Sequence, residues 1–381
     1  MKKKICIVGP AYPYRGGNAL FVAHLYSALS ETYDVQVINF TKLYPKLFFP
    51  GTRQEDVSQV GIKTHPSERI IDSTNPFTWF KAVRKIKSLN PDLIAFIWYN
   101  PFFGMAFNVI SGRLKKYFHG KVLFIAENII SHEARFIDSF LTKIALRHAD
   151  KFLVLSEIVE KGIKELYPGK NVFRSSLPIY DCYQFDSLIT KTDARKKIEL
   201  PTDKNVILFF GYIRAYKGLM YLIEAMPNVL KFDPDAMLLV VGEFYEEKEK
   251  YFDAVKSLGL GRNVKFVAEF VPNEDVGLYY TASDLVVLPY KSATQSGILN
   301  IAYGFKRPVV VTNVGGLPEL VEEGKTGFIV EANNPNTIAE GIIKYFSSKD
   351  KSKFEKNIEE FVQKSGFKSI EAVFEKIFNS P

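Results

Sequence analysis

Cysteine is scarce in this chain of 381 residues, which contains only Cys6 and Cys182. Two cysteines cannot form the disulfide framework of a small secreted protein or the ligand set of an iron–sulfur cluster. The five histidines are scattered, and none lies four residues from another histidine or from a cysteine, a spacing with which a helix can hold a metal. We therefore expect a protein of a reducing compartment with no metal and no bound cofactor.

Long hydrophobic segments are equally few. The N-terminal Met1–Lys4 leads into a predicted strand without the apolar segment of about 7–15 residues that a signal peptide requires, so we expect a cytoplasmic protein. Residues 93–112 carry no charge, and these 20 residues are formally long enough to cross a bilayer. Because Asn100-Pro101 interrupts them, we favour a buried strand, a turn and an apolar helix over a helix that touches or spans a membrane.

Acidic residues are few in the first half of the chain. Residues 1–175 contain 25 Lys and Arg against 14 Asp and Glu, a balance of +11, whereas residues 176–381 have a balance of −3. The basic residues are dispersed and accompany no nucleic-acid-binding motif, which disfavours nucleic acid as a partner. An anionic inner-membrane surface or a phosphorylated substrate fits this charge better.

Short apolar strands alternate with helices along the chain, which is the pattern of parallel α/β sheets. The length indicates two domains, and the irregular stretch Arg174–Lys204 indicates their boundary. We predict domains over 1–178 and 179–350, followed by C-terminal helices over 351–381 that pack back toward the first domain. The predicted strands are Lys4–Gly9, Asp34–Phe40, Asp92–Trp98, Val122–Ala126, Lys151–Ser156, Val206–Gly211, Met237–Gly242, Val264–Ala268, Asp284–Pro289, Pro308–Thr312 and Gly327–Val330.

Glycine-rich loops follow several of the predicted strands. Gly16-Gly17 opens the first helix, where glycine lets the backbone approach a phosphate and the helix N-terminus supplies free N–H groups. A tight strand-to-helix turn is the alternative interpretation. The dinucleotide fingerprint G-x-G-x-x-G is absent, which disfavours NAD.

A second loop, Gly211–Gly218, carries Arg214 and Lys217 between a strand and a helix. A planar guanidinium and a compact ammonium together suit a diphosphate, and two solvated surface cations are the alternative. Segments 292–298 and 314–319 follow later strands and are small, polar or glycine-rich. Since open α/β sheets bind ligands outside the carboxyl ends of their strands, we expect these loops to form one site.

These motifs, in this order, resemble the family-4 retaining glycosyltransferases, whose glycosyltransferase B fold has two Rossmann-like domains facing each other across a cleft. The resemblance is strongest from Leu208 to Val330 and extends to Gly16-Gly17 and to Glu127–Glu133. It implies a metal-independent enzyme that transfers a sugar with retention of anomeric configuration. The second domain would hold the UDP- or GDP-linked donor, and the first a sugar or lipid-linked acceptor.

The resemblance also implies roles for particular residues. Arg214 and Lys217 would clamp the donor diphosphate, because fixed cations stabilise the charge that grows on a departing nucleoside diphosphate. Glu127 and His132 would act at the reacting sugar. The further donor-binding residues would be Gly16, Gly17, Gly211, Gln295, Ser296, Gly297, Ile298 and Glu319.

The sequence departs from the family at three positions. Ala293 and Ile301 stand where many members have glutamates, and Glu127 stands where many have histidine. Two alternatives stay open. One is a nucleotide-sugar 2-epimerase on the same fold, although these departures leave few of the acid and base carboxylates that it would need; the other is a non-catalytic subunit that binds nucleotide, which the missing glutamates suggest. Asp233-Pro234-Asp235 resembles the metal-binding Asp-x-Asp of another glycosyltransferase fold, but its place between a helix and a strand predicts an ordinary turn. Candidate residues for an acceptor groove are the aromatic residues Tyr12, Tyr14, Trp98, Tyr99, Phe102 and Phe103.

Overall fold

Two parallel sheets, each with strands that are apolar along most of their length, organise the chain. The computed structural model describes residues 2–45, 49, 53–62, 64–129, 136–184, 189–364 and 370–380. Contacts within the chain divide it into two units, and the main division falls at Pro178 and Ile179, where the sequence predicts the domain boundary. The first unit comprises Met1–Asp56, Lys63–Pro178 and Phe367–Pro381, and the second comprises Val57–Ile62 and Ile179–Gly366.

The first unit contains a sheet of seven strands with helices between them. Its elements are β1 (Lys4–Val8), α1 (Gly17–Ser30), β2 (Asp34–Lys42), β3 (Glu68–Asp72), α2 (Pro76–Leu89), β4 (Leu93–Trp98), α3 (Gly104–Lys115), β5 (Lys121–Ala126), α4 (Phe136–Leu146), β6 (Lys151–Val154), α5 (Glu157–Leu166) and β7 (Asn171–Arg174). The strands are all parallel, in the order β3-β2-β1-β4-β5-β6-β7. Every residue of β4 is buried, as expected for a sheet that helices cover on both faces.

The second unit contains a parallel sheet of six strands in the order β10-β9-β8-β11-β12-β13. This is the strand order of a Rossmann fold, with three strands on each side of the switch between β8 and β11. Its elements are α6 (Lys191–Lys197), β8 (Val206–Phe210), α7 (Leu219–Phe232), β9 (Met237–Val241), α8 (Glu249–Ser257), β10 (Val264–Val267), α9 (Asn273–Ala282), β11 (Leu285–Leu288), α10 (Gly297–Gly304), β12 (Val309–Thr312), β13 (Gly327–Val330), α11 (Pro335–Phe346) and α12 (Ser352–Lys364), and α13 (Ile370–Asn379) follows in the first unit.

All eleven predicted strands correspond to observed ones, with ends that differ by at most two residues. The sequence missed β3, β7 and α6. Both missed strands are sheet edges, where one side lacks a neighbour and the residues are less apolar: β7 reads Asn-Val-Phe-Arg and contains no buried residue. Helix α6 lies inside the stretch predicted to be irregular, because its Lys-rich sequence carries almost no apolar periodicity.

The uncharged segment 93–112 forms β4, a short 3-10 turn and most of α3, as predicted. The Asn100 side chain accepts a hydrogen bond from the N–H of Phe102 at 2.9 Å and thereby starts the turn. No helix among the described residues is long and apolar enough to cross a membrane.

The C-terminal segment 351–381 divides between the two units, whereas the sequence predicts that it packs as a whole toward the first domain. Helix α12 buries Phe354 and Ile358 in the second unit. Helix α13 packs on α1 of the first unit, and the buried ammonium of Lys151 donates to the carbonyl oxygen of Ile377 at 2.8 Å and of Ser380 at 2.6 Å. A cation at a helix C-terminus satisfies carbonyl groups that the helix itself leaves unpaired.

One buried ion pair joins α6 to the start of the second sheet. Arg195, which is 3% exposed, lies 2.8 Å from the carboxylate of Asp284 and donates to the carbonyl oxygens of Ala282 and Thr202 at 2.9 and 2.8 Å. The same carboxylate accepts the N–H of Val206 at 2.7 Å. The network therefore fixes the entry to β8 and β11, the two strands that flank the switch in strand order.

We predict that Arg195→Met lowers the free energy of unfolding by about 2–4 kcal/mol, because it leaves the carbonyl groups of Ala282 and Thr202 without a donor and the Asp284 carboxylate with only Lys191, 2.6 Å away, as its cation. Chemical denaturation measures this. Lys204→Met is the control, since it breaks an ion pair with the exposed Asp235 and should change the same free energy by about 1 kcal/mol or less. Equal effects of the two substitutions would contradict the role given to Arg195.

Candidate functional site

The strand order of the second sheet defines where a ligand would bind. The chain winds from β8 to β9 and β10 in one direction, and β11 to β13 lie in the other. Open α/β sheets bind ligands in the crevice outside the carboxyl ends of the strands at such a switch. The loops 211–218 and 289–296, which leave β8 and β11, form what we call the β8–β11 site.

Glycine packs the two loops of the β8–β11 site against each other. Gly211 and Gly218 have φ angles of 99° and 69°, in the region that favours glycine. A Cβ on Gly218 would lie 1.9 Å from the carbonyl oxygen of Pro289, so a side chain cannot be accommodated there. The N–H of Lys291 also donates to the carbonyl oxygen of Tyr216 at 2.7 Å. The backbone itself thus joins the two loops.

Lys217 is the buried cation of the site. It is 7% exposed, and its Nζ lies 5.7 Å from the ring centre of Tyr290. Among the described residues, no carboxylate pairs with its ammonium and no acceptor takes a hydrogen bond from it. Burial, and secondly the positive charge of Arg214, lower the pKa of Lys217 to about 7. A bound anion would supply the missing counter-charge.

Arg214 lies half-exposed beside Lys217, and an aromatic pair holds it. Its guanidinium carbon is 5.4 Å from the ring centre of Tyr245, and that ring packs against Tyr212 at a tilt of 30° with 4.7 Å between ring centres. The N–H of Tyr245 donates to the carbonyl oxygen of Ile213 at 3.0 Å, which fixes this residue beside the loop. The sequence analysis missed Tyr245, although its position just after β9 was a usable signal.

The second loop leads into α10, whose N-terminus no side chain of the described residues caps. Ser296 precedes the helix, and its hydroxyl lies 3.2 Å from that of Tyr290. The Oε1 atom of Gln295 is buried and has no hydrogen-bond partner in the described part of the chain. Free N–H groups at a helix start are a feature of an anion site, whereas the amide oxygen of Gln295 only accepts hydrogen bonds and would take one from a hydroxyl or N–H group of a ligand.

The predicted residues Gly211, Lys217 and Ile298 come together in the structure. From the position that a Cβ would take on Gly211, Lys217 Nζ is 2.8 Å away and Ile298 Cδ1 is 3.1 Å away. Gly297 lies between Ser296 and Ile298 as the first residue of α10. Five predicted donor residues therefore lie on the loops that carry Arg214 and Lys217 or at the start of the helix that follows: Gly211, Gln295 and Ser296 on the loops, and Gly297 and Ile298 in the first turn of α10.

The loop 314–319 packs against the same region. Gly315 has a φ angle of 54°, and a Cβ on it would lie 1.4 Å from the carbonyl oxygen of Ala293. Its predicted carboxylate, Glu319, is exposed on the 3-10 turn Pro318–Leu320. The backbone of this loop is thus tied to the β8–β11 site, whereas the role of Glu319 stays a prediction.

In the first unit, Gly16-Gly17 lies between β1 and α1, next to the switch in strand order between β1 and β4. Gly16 has a φ angle of 105°, and no described side chain caps α1. A Cβ on either glycine would meet no atom of the described residues within 4 Å. Buried Asn39 holds the loop: it accepts the N–H of Ala11 at 3.0 Å and donates to the carbonyl oxygen of Tyr12 at 2.9 Å.

Glu127 directly follows β5, and its N–H donates to the carbonyl oxygen of Trp98 at 2.9 Å. Its Oε1 atom is buried and has no hydrogen-bond partner among the described residues. Burial raises the pKa of Glu127 to about 8, so the carboxyl group is largely protonated at neutral pH. His132, its predicted partner, lies outside the described residues.

Two of the predicted acceptor-groove aromatics are core residues, and the predicted Asp-Pro-Asp turn is a surface turn. Trp98 and Phe103, predicted to line an acceptor groove, are each 1% exposed and belong to the core. Asp233 and Asp235 form the predicted turn between α7 and β9, where the N–H of Asp235 donates to the Asp233 carboxylate at 3.2 Å. Within the described ranges, no three His, Cys, Asp or Glu residues cluster in a way that could hold a metal ion.

Comparison with known proteins relates part of the chain to glycosyltransferases. Residues 190–364 match the family described as glycosyl transferases group 1. Spore coat protein SA of Bacillus subtilis (strain 168) is 32% identical over 157 residues, 39% of this chain and 41% of that protein. A D-inositol 3-phosphate glycosyltransferase of Corynebacterium jeikeium (strain K411) is 32% identical over 155 residues, 39% of this chain and 37% of that enzyme. The chain thus spans about two fifths of the curated relatives it matches.

One solved structure shares its fold with nearly the whole chain. HepE of Anabaena, determined in complex with UDP-glucose, has a TM-score of 0.74 at 18% identity, covering 98% of this chain and 99% of that one. The predicted fold, two Rossmann-like α/β domains of the glycosyltransferase B type, is confirmed. The narrower family-4 retaining assignment stays a prediction.

We predict that Lys217→Met stabilises the ligand-free protein. The pKa of Lys217 is about 7 in the folded chain and 10.5 in an unfolded one, so burying the charged ammonium lowers the free energy of unfolding. Between pH 7 and 10.5 the unfolded chain holds a proton that the folded chain has lost, and the stability of the wild type therefore rises with pH in this window. At pH 6, the free energy of unfolding measured in urea should be a few kcal/mol higher for the variant than for the wild type. This difference should shrink toward pH 10. A variant less stable than wild type at pH 6 would contradict the burial of an unpaired ammonium.

We predict the opposite pH dependence for Glu127. Between pH 4.5 and about 8 the folded chain binds a proton that the unfolded chain has lost, so wild-type stability falls as pH rises through this window. Glu127→Gln mimics the protonated form. For each pH unit in this window, its free energy of unfolding should rise by about 1.4 kcal/mol relative to that of the wild type. Substitution of the exposed Glu165 by Gln is the control. A pH-independent difference for Glu127→Gln would show that this carboxyl group is ionised.

Proposed function

We propose that this chain is a glycosyltransferase that takes a sugar from a nucleoside diphosphate donor bound at the β8–β11 site. The observation that carries the proposal is the unpaired, buried ammonium of Lys217 beside Arg214 and the uncapped start of α10. A diphosphate carries the charge and the acceptor oxygens that these groups would bind. The match of residues 190–364 to group 1 glycosyl transferases supports the same conclusion.

The reaction that we propose transfers one glycosyl group. The bond between the anomeric carbon and the diphosphate oxygen breaks, and the nucleoside diphosphate leaves with the bonding electrons. The anomeric carbon bonds to the oxygen of an acceptor hydroxyl, whose proton passes to the departing diphosphate. Arg214 and Lys217 would stabilise the charge on the leaving group, and preorganised donors of this kind contribute about 3–4 kcal/mol each. Retention of anomeric configuration and independence of metal ions form part of the proposal.

The remaining predicted residues have roles within this proposal. The N–H groups after Ser296 would bind the diphosphate, and Glu319 a sugar or ribose hydroxyl. The open backbone at Gly16-Gly17 would approach a phosphate, and Glu127, with His132, would act at the reacting sugar. As a protonated carboxyl group, Glu127 would donate a hydrogen bond there. The basic first unit suits a phosphorylated or lipid-linked acceptor.

A nucleotide screen tests the donor site directly. UDP and UDP-glucose come first, because HepE was solved with UDP-glucose, and GDP and ADP with their sugar conjugates follow. A nucleotide at 100 times its dissociation constant should stabilise the fold by about 2.7 kcal/mol, seen as a higher melting temperature. Lys217→Met should abolish this increase, and product formation should continue in EDTA. If no nucleoside diphosphate raises the melting temperature, the proposal is wrong.

The products distinguish the remaining alternatives. Incubation of donor with acceptor should yield a glycoside of unchanged anomeric configuration, which proton NMR shows from the anomeric coupling. An epimeric sugar from donor alone would establish the epimerase alternative instead. Nucleotide binding without transfer or donor hydrolysis would establish the non-catalytic subunit.

Gly17→Ala tests the role of the first unit. Because a Cβ on Gly17 would meet no atom within 4 Å in the described part of the chain, the substitution should leave the melting temperature of the free protein unchanged or slightly higher. If a donor phosphate approaches this backbone, turnover should fall by about tenfold or more, equal to about 1.4 kcal/mol. Wild-type turnover in this variant would remove Gly16-Gly17 from the donor site.

A further inference from the structure

Helix α2 of the first unit has a sharply divided surface. Trp79, Ala82, Val83 and Ile86 point into the core and are buried. At 100° per residue, the opposite side carries Phe77, Phe80, Lys81, Arg84 and Lys87 within an arc of about 120°. Phe77 is 84% exposed and Phe80 is 40% exposed, which is unusual for phenylalanine. The solvent-facing side of α2 therefore combines exposed aromatic rings with cationic side chains.

The neighbouring helix α3 extends this surface. The guanidinium carbon of Arg113 lies 5.3 Å from the ring centre of Phe80, and Nζ of Lys87 lies 3.5 Å from the ring centre of Tyr117, a residue that is 63% exposed. We call the surface formed by Phe77, Phe80, Lys81, Arg84, Lys87 and Arg113 the α2–α3 patch. Cations and rings are interleaved across it.

The α2–α3 patch is of one charge sign. Neither α2 nor α3 contains an Asp or Glu. Glu68 pairs with Lys85 and Asp150 with Lys115, so these two lysines are partly neutralised at the edge of the patch. In the described part of the chain, Lys81, Arg84 and Lys87 have no carboxylate partner. The unpaired cations are thus those that share a face with the exposed rings.

We propose that the α2–α3 patch docks the protein on an anionic lipid bilayer. Phenylalanine rings can enter the boundary between headgroups and acyl chains, while lysine and arginine side chains reach the phosphates. Each basic residue near an anionic surface strengthens binding about fivefold. An acidic protein would use the cations but gain little from a phenylalanine that is 84% exposed. A single-stranded nucleic acid could stack bases on such rings, but no nucleic-acid-binding motif accompanies these residues. The paired exposure of rings and cations, without such a motif, therefore favours lipid.

Vesicle sedimentation with the full chain tests the proposal. The probes are vesicles of phosphatidylcholine with 30% phosphatidylglycerol and vesicles of phosphatidylcholine alone, at about 0.05 M and 0.5 M salt. Lys81→Glu/Arg84→Glu reverses two cations of the patch, and Phe77→Ser/Phe80→Ser removes its rings. Lys344→Glu/Lys349→Glu, on exposed lysines of the second unit, is the control with the same change in net charge.

The wild-type protein should bind the anionic vesicles strongly at low salt and weakly at high salt. It should bind the neutral vesicles poorly at either salt concentration. The charge-reversal variant should lower the partition coefficient by at least about 30-fold and the serine variant by at least about tenfold, whereas the control should change it less than threefold. Equal loss in the control, equal binding to both vesicle types, or full binding by the serine variant would overturn the proposal. So would tighter binding of a single-stranded oligonucleotide than of the anionic vesicles.

This docking surface is independent of the proposed transferase reaction. Both patch variants should retain the melting temperature of the wild type, which shows that they fold. Nucleotide should also raise the melting temperature of both variants as much as that of the wild type, since the patch contains no residue of the β8–β11 site. A missing nucleotide effect in the wild type would therefore contradict the transferase proposal and leave the docking proposal standing.

Discussion

The ammonium of Lys217 is held in the protein interior by a backbone arrangement that depends on glycine. Gly218 lets the loop after β8 press against the carbonyl oxygen of Pro289, and Gly211 leaves the space that the ammonium occupies. The parallel order of β8 and β11 brings both loops to one sheet edge, and the Arg195–Asp284 ion pair fixes the start of the two strands. The position of the cation thus follows from the sheet, the glycines and this ion pair together.

Burial acts in opposite directions on the two principal titratable groups. It lowers the pKa of Lys217 to about 7 and raises that of Glu127 to about 8, because in each case the charged form loses water. In the ligand-free chain, neutral pH therefore leaves Glu127 mostly protonated and Lys217 near its midpoint. A diphosphate at the β8–β11 site would favour the protonated ammonium. The destabilisation that burial imposes on the free protein would then contribute to the preference for an anion.

The sequence predicted the central strands, the two-domain fold and the glycine-bearing loops that leave β8 and β11, because apolar runs and glycine positions are local signals. It did not predict β3 and β7, whose edge positions tolerate polar residues, or Tyr245, whose contact with Arg214 depends on the pairing of β8 with β9. Trp98 and Phe103 belong to the core although they end or follow a strand, since Trp98 packs against Phe107 of α3 and the turn that holds Phe103 contacts both α3 and α4. Long-range packing, which single-sequence patterns do not contain, decided each of these cases.

The pKa of the Lys217 ammonium, measured by NMR with 13C-labelled lysine in the free protein and with UDP, tests the central claim most directly. Lys217→Met identifies the resonance by its absence. The expected result is a pKa of about 7 in the free protein that rises by at least about two units when UDP binds. A pKa near 10.5 in the free protein, or one that UDP leaves unchanged, would contradict a buried cation that binds the diphosphate.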